Sequence, residues 1–578
     1  MAQCKTSPEV GGMGHSVKRK EDPRFIRGQG NYVDDVVRPG MVFMDIVRSP
    51  YAHAKIKSIN TEKALAHPGV AAVITGETLK EYNLHMMPTL MSDTQMVLPI
   101  EKVCYQAQEV AAVIATDRYS AADGVELVEV EYEPLPVVVD PHKATDPDAP
   151  IIRDDKEGQE NNHIFHWEAG DKKGTNDVFK KADVVVKENI YLPRIHVASI
   201  ETCGCVSEFD SVSGQLTVWM TTQAPHAIRT VLALVAGHVG LREDKIRVIS
   251  PDIGGGFGGK VPVYPGYVIA IAASVVTGLP IKWIEDRREN LQADSFARDY
   301  HMTCEIAADK DGTLNGLRIN TLADHGYADA AANPSKWPAG MFSICTGSYN
   351  FKNAFVEVDG VYTNKPPGGI AYRCSFRVTE AVHAIERMVD MVADELGMDA
   401  AEIRMNNFIP KDAFPYKSPM GWEYDSGDYH GALKLAMEKI GYDKLLKEQA
   451  KKREKGELMG IGISSFTEVV GAGPSKDFDI LGIKMFDSSE IRIHPTGKVI
   501  ARFGTKSQGQ GHETTYAQII AEELGIPHSD VTVEEGDTDT APYGLGTYAS
   551  RSTPTAGAAA AVACRKIKDK AQKIAAHL

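Results

Sequence analysis

Eight cysteines in 578 residues are too few and too scattered for a disulfide framework. A reducing cytoplasm is the compartment they fit. Apolar runs are short: the longest, residues 267–276, stops before Gly278 and Pro280. It cannot span a bilayer and reads as a buried helix. The opening residues, MAQCKTSPEV, lack the hydrophobic stretch of a signal peptide. Basic excess is missing too. A net charge of −15 speaks against nucleic acid or an anionic membrane as partner. The chain shows no iron–sulfur cysteine spacing and no Gly-Lys-Ser/Thr phosphate loop. It has no internal repeat, and its acidic residues are too dispersed to argue for a carboxylate pair.

What is present fits an α+β protein with room for several domains. Residues 41–49, 111–116 and 125–140 alternate as strands do, and SAADGVELV reads as a short helix between them. A mixed domain over 20–135 is expected, followed by a polar link, TDPDAPIIRDDKEGQENN. A second region, 160–410, mixes strands (QLTVWMTT, KIRVIS, AFVEVDGVYT) with helices. In one of these Ile385, Met388, Val389, Val392 and Leu396 recur at three and four, with Gly397 as cap. The charged segment KLLKEQAKKREKGELMG reads as a solvated helix end. A third region, 430–578, is expected to hold strands in GIGISSF, SEIRIHPTGKVIARFG and VTVEEGD, with helices after His512 and Pro554. The last of these is apolar at Ala560, Ala563, Ile567, Ile574 and Leu578 and has no glycine cap, which suggests a chain cut within its third region.

Three loops carry polar chemistry. PDIGGGFGGK places five glycines among residues 254–259, just after a strand, so its backbone can turn sharply and approach a ligand closely. GTKSQGQGHETTYAQ alternates Gln508, Gln510 and His512 with glycines ahead of a helix. GTYASRSTPTAG sets the hydroxyls of Thr547, Tyr548, Ser550, Ser552 and Thr553 before another helix. Each alone is a glycine turn or a hydroxyl-rich cap; together they favour a large polar cofactor with phosphates. Gln223, in TTQAPHAIR, offers an amide at a strand end. Cys203 and Cys205 are read as structural, and Cys104, Cys304, Cys345 and Cys564 as core thiols.

Cys374 sits in AYRCSFR, after the PPGG of 366–369 and between Arg373 and Arg377, which favour its thiolate. The residues alone leave three readings open: an inert core thiol first, a soft-metal ligand second and a nucleophile third.

Together these segments resemble the molybdenum-binding large subunit of the xanthine dehydrogenase and aldehyde oxidase family, over almost the whole chain. EDPRFIRGQGNYVDD, RSPYAHAKI, EVAAVIATD and EYEPLPVVVD look like its N-terminal domain, and TTQAPH, GGGFGGK and GQGHETTYAQ like its cofactor-binding segments. AYRCSFR is narrower and resembles the active-site loop of form I aerobic carbon monoxide dehydrogenases. The resemblance implies an a/b hammerhead domain, then two molybdopterin-binding domains, the second incomplete. It implies molybdopterin cytosine dinucleotide with molybdenum, and Cu(I) on Cys374. Gln223 would hydrogen-bond an oxo ligand, and Gly256, Phe257 and Gly258 would back the metal. Arg373, Gln508, Gly509, Gln510, His512 and the hydroxyls from Thr547 to Thr553 would hold the rest of the cofactor. The implied reaction turns CO and water into CO2, two protons and two electrons, which leave through a small [2Fe–2S] subunit and a medium FAD subunit in a dimer of heterotrimers. The alternatives are a copper-free hydroxylase for an aldehyde or heterocycle, or a non-catalytic fragment. The family's catalytic glutamate, near the C-terminus of the large subunit, has no counterpart here, so this chain alone is expected to be inactive.

Overall fold

The computed structural model describes residues 6–88, 93–237, 240–328, 344–368, 378–468, 470–474 and 485–578. The first alternating segments form strands Val42–Arg48 and Glu109–Ala115, paired antiparallel. Glu109–Ala115 is buried at every position, as a strand covered on both faces must be. What alternation cannot show is that Val42–Arg48 also runs parallel to Ile281–Ile284, some 240 residues on. The sheet continues through Gly204–Asp210 and Gln215–Met220 to Ile246–Ile249, seven strands in all. The first and second regions therefore share one core. The apolar run is its buried helix, Pro265–Thr277, which ends at Gly278 with a left-handed φ of 69°.

A five-stranded sheet (Val184–Leu192, Tyr300–Ala308, Leu314–Asp324, Asn353–Val361, His163–Gly170) forms the second core. Helix Val378–Leu396 covers it with Ile385, Met388, Val389 and Val392. The third region is a sheet of Ser489–Ile493, Val499–Phe503 and Val531–Glu535, backed by helices His512–Leu524 and Gly557–His577.

Three expectations change. Residues 145–162 are not a free link: Ile152 and Arg153 are fully buried, and Arg153 donates to Thr94 O at 2.6 Å and pairs with Asp155 at 2.8 Å. A single arginine with several acceptors anchors a segment that has little apolar surface to bury. The strand expected over 125–140 is only Glu129–Pro134, because Val125–Leu127 finish the helix Arg118–Leu127 that Asp117 caps. GIGISSF forms no ladder among the described residues. Its backbone meets side chains instead, with Ser465 N donating to Glu386 Oε2 at 2.8 Å and Arg404 Nη2 donating to Ile463 O at 3.1 Å. In the last helix Ala560 and Cys564 are buried, while Ile574 and Leu578 are exposed.

Candidate active site

Gln223 follows the strand Gln215–Met220 and precedes the helix Pro225–Ala236. It is 2% exposed. Its Oε1 accepts from Gly258 N at 2.9 Å and Lys260 N at 3.2 Å, both in the glycine loop. Its Nε2 donates to Thr547 O at 2.7 Å, and its backbone carbonyl accepts from Thr547 N at 2.9 Å. One buried amide thus clips two of the three loops together. The third comes in at Gly256, where a Cβ would stand 2.7 Å from Gln223 Oε1 and 2.9 Å from Gln508 Cγ. No side chain fits there, so glycine at 256 is a packing requirement. Phe257 adopts φ +52° between Gly255 at +96° and Gly258 at +94°, and its ring is half exposed. The loop is closed by a residue that the sequence did not single out. Glu201 Oε2 accepts from Gly254 N at 2.8 Å and Lys260 Nζ at 3.0 Å.

In the glutamine loop, Gln508 N donates to Gln510 Oε1 at 2.6 Å, and Gly509 and Gln510 are exposed. His512 is buried, with Nδ1 2.8 Å from Glu535 Oε1. Burial raises the Glu535 carboxyl, but His512, Lys506 and Thr505 outweigh it and hold the pKa below its usual value. In the hydroxyl loop, Thr547 Oγ1 accepts from Lys506 N at 3.0 Å and from Ser552 Oγ at 3.2 Å. Tyr548 lies beside the Arg551 guanidinium; Ser550, at φ +52°, and Thr553 are exposed. The order of this loop comes from Arg551, fully buried and paired with the equally buried Asp487 at 2.5 Å. Arg551 also donates to four backbone carbonyls, of Ala472, Met485, Phe486 and Gly546. Lone charges are hard to recognise in a sequence as buried, and nothing in the loop's hydroxyl pattern points to this one.

Beside these loops lies a cavity of about 270 Å³, lined by Arg24, Asp252, Lys506, Glu513 and Glu535 among others. Its wall includes the N-terminal arm. Arg24 binds Asp252 at 2.8 Å and Glu513 at 3.0 Å, and Arg19 donates to Gly509 O at 2.8 Å. Lys506 is buried here, and desolvation lowers its pKa despite Glu535 and Asp252.

A carboxylate pair, for which the dispersed acids of the sequence give no argument, does form. Asn290 Nδ2 donates to Glu285 Oε2 at 2.9 Å and to Asp294 Oδ2 at 2.7 Å, and Cys203 Sγ lies 3.6 Å from Asp294 Oδ2. Burial pushes the Asp294 carboxyl up to about 7 and Glu285 well above its usual range. Such a pair holds a proton between its members. Folding joins a strand end to the far end of the next helix, a distance of nine residues that sequence spacing does not reveal. Cys104, Cys304, Cys345 and Cys564 are buried free thiols, as expected. Arg373 and Cys374 lie outside the described residues.

Comparison with known proteins accords with this geometry. The molybdopterin cofactor-binding domain families match residues 155–408 and 435–578. The aldehyde oxidase and xanthine dehydrogenase a/b hammerhead domain matches residues 27–136. The chain is 62% identical to the carbon monoxide dehydrogenase large chain of Afipia carboxidovorans, over 98% of this chain and 72% of that one. It is 59% identical to the corresponding chain of Hydrogenophaga pseudoflava, with the same coverage. A crystal structure of Cu,Mo-CO dehydrogenase superposes with a TM-score of 0.95 at 62% identity, covering 99% of this chain and 73% of the other. Quinoline 2-oxidoreductase from Pseudomonas putida superposes with a TM-score of 0.87 at 32% identity, covering 97% and 71%. This chain therefore belongs to the molybdopterin-binding xanthine dehydrogenase and aldehyde oxidase family, and within it to the carbon monoxide dehydrogenase large chains.

Proposed function

We propose that the chain is the catalytic large subunit of a molybdenum–copper carbon monoxide dehydrogenase, which turns CO and water into CO2, two protons and two electrons. The observation that carries this reading is the meeting of three loops at Gln223. The amide oxygen there is engaged twice, and one N–H is spent on Thr547. An amide has a second N–H, and it suits an oxygen acceptor on a metal.

The residues fit the cofactor. Gly256 leaves space that any Cβ would fill, Gly258 presents the loop backbone, and the half-exposed Phe257 ring can cover one side of the metal from water. Gln508, Gly509, Gln510, His512, Arg373, Thr547, Tyr548, Ser550, Ser552 and Thr553 would hold pterin, phosphates or nucleotide. Cys374 would ligate Cu(I). When bound, the bimetallic cofactor supplies the soft centre that binds carbon monoxide and takes up two electrons. Gln223 orients, the glycine backbone allows close approach, and Glu201 with Lys260 keeps the loop rigid.

The described cysteines include no four-thiol cluster, so the electrons would pass to the [2Fe–2S] and FAD subunits of a dimer of heterotrimers. No helix among the described residues is long and apolar enough to cross a membrane. Free thiols suit work in the cytoplasm. The test is to purify the complex with its partners and measure molybdenum, copper and CO-dependent dye reduction. Equal copper and molybdenum with CO turnover is expected. Molybdenum without copper, together with oxidation of an aldehyde or heterocycle, would overturn the reading in favour of a copper-free hydroxylase.

A further inference from the structure

The glycine loop and the glutamine loop are attached to different cores, yet one segment outside both touches each of them. Residues 19–24 lie just before the hammerhead domain, whose match begins at residue 27. Arg24 carries the contact. Its guanidinium forks onto Asp252, with Nη1 2.5 Å from Oδ2 and Nη2 2.8 Å from Oδ1. Nη2 also donates to Glu513 Oε1 at 3.0 Å. Asp252 stands two residues before the first glycine of PDIGGGFGGK, and Glu513 is the second residue of the helix His512–Leu524 that follows the glutamine loop. Burial raises the Asp252 carboxyl, but Arg24 and Asn31 outweigh it and hold its pKa below the usual value. Both partners are therefore charged at neutral pH.

The contact does not rest on one side chain. Asp252 N donates to Asn31 O at 2.9 Å, and Asn31 N donates to Asp252 Oδ2 at 2.9 Å. On the other loop, Arg19 Nη2 donates to Gly509 O at 2.8 Å. Thr514 Oγ1 donates to the buried Glu21 Oε2 at 2.7 Å while accepting from Lys20 N at 2.8 Å. Gly511, at φ +91°, passes so near that a Cβ would stand 3.3 Å from Glu21 Oε1 and 3.5 Å from Arg19 Nε.

We propose that Arg19 and Arg24 are positioning residues: with Glu21 they strap the glutamine loop to the glycine loop and so fix the gap in which the pterin cofactor is held. The inference rests on the reading of those loops as the cofactor's cradle. Two loops carried by separate cores can shift against each other as bodies, and a cradle built from both binds only when they are in register. The Arg24 side chain is 34% exposed and that of Asp252 13%, so salt weakens this pair less than one on the open surface. Gln223 Nε2 and Lys506 N tie the hydroxyl loop at Thr547, so losing the strap loosens the cradle without releasing its parts.

The test uses the whole complex with its partner subunits. Arg24→Ala removes the bridge. Arg24→Lys keeps the charge but loses the fork that meets Asp252 and Glu513 together. Arg19→Ala removes the bond to Gly509 alone. Thr6→Ala is the control: it breaks the 2.8 Å bond from Thr6 Oγ1 to Glu522 Oε2, at the far end of the same helix. Hydrogen exchange is read on peptides covering 252–258 and 507–514 and, as a reference, the buried strand 109–115. Molybdenum and pterin contents are measured on the same preparations. In Arg24→Ala, exchange in both loops should quicken roughly tenfold or more, as loss of charge-assisted bonds implies, with 109–115 unchanged and pterin lowered several-fold. Arg24→Lys should recover part of both effects, Arg19→Ala should quicken 507–514 only, and Thr6→Ala should leave both loops as in the parent. Parent exchange in both loops of Arg24→Ala would overturn the strap. So would equal quickening in 109–115, which marks a general loss of stability, or parent pterin content with both loops loosened, which shows that the cradle needs no strap. A parent complex without pterin would sink the cradle reading and with it the purpose given to the strap, while exchange in the Arg24 variants still decides whether the bridge exists.

Discussion

Replacing Gln223 by alanine removes three hydrogen bonds at once: those from Gly258 N and Lys260 N to Oε1, and that from Nε2 to Thr547 O. All three partners are backbone groups in a region where Gln223 is 2% exposed, so water does not readily replace the amide. At about 1 kcal/mol for each bond, the two loops lose about 3 kcal/mol of mutual attachment. That corresponds to local opening roughly 100-fold more frequent, at about 1.36 kcal/mol per decade. The assay is hydrogen exchange on peptides covering 256–262 and 545–549, with molybdenum content and CO turnover measured on the same preparation. Faster exchange in both peptides is expected, with turnover down about 10–100-fold from loss of the proposed contact to an oxygen ligand of the metal. Molybdenum retention should fall less than turnover, since the other loops keep their own bonds. Gln223→Glu should fare no better: a carboxylate still accepts from Gly258 and Lys260 but cannot donate to Thr547 O. If Gln223→Ala leaves exchange in both peptides and turnover at parent values, the clip does not hold the loops and the reasoning fails.

Three further outcomes follow from the same structure. Cys374→Ser should abolish copper binding and CO oxidation while molybdenum stays, as metal analysis will show, because a hydroxyl is a poor ligand for a soft ion. Asp294→Asn should flatten the fall in melting temperature between about pH 4 and 7. Burial raises the folded Asp294 carboxyl to about 7, so the pair's favourable state is complete below the unfolded value near 4 and is lost as pH rises through about 7. A slope equal to the parent's would refute the shared proton. Arg551→Ala should destabilise the third region by about 3–5 kcal/mol, because it strands Asp487 without solvent access; Asp487→Ala added to it should recover part of the loss, measurable as soluble yield and thermal shift.

Local pattern was enough for the elements whose stability is local. The heptad-like spacing of Ile385, Met388, Val389 and Val392 describes the helix Val378–Leu396, and left-handed glycines end it and the Pro265–Thr277 helix where the sequence places them. The three polar loops were legible because each departs from the composition of a core. Their convergence was not. Gln223 meets Thr547 across more than 300 residues, and Arg24 meets Glu513 across nearly 500. Contacts of that range leave no periodic trace, since they depend on how sheets and helices stack. The same holds for buried charge. Glu201 and Arg551 look in sequence like any solvated ionic residue, and only packing takes water away and supplies their partners. The family, most element types and the three cofactor-like loops could be read from the residues alone, because composition and periodicity act over a few residues and a family resemblance is carried by motifs; GIGISSF and residues 125–127, whose partners are distant or capped from outside, could not. Only the tertiary packing decides that the first two regions share a sheet and that Glu285 and Asp294 become a pair, because each depends on which distant segments exclude water together.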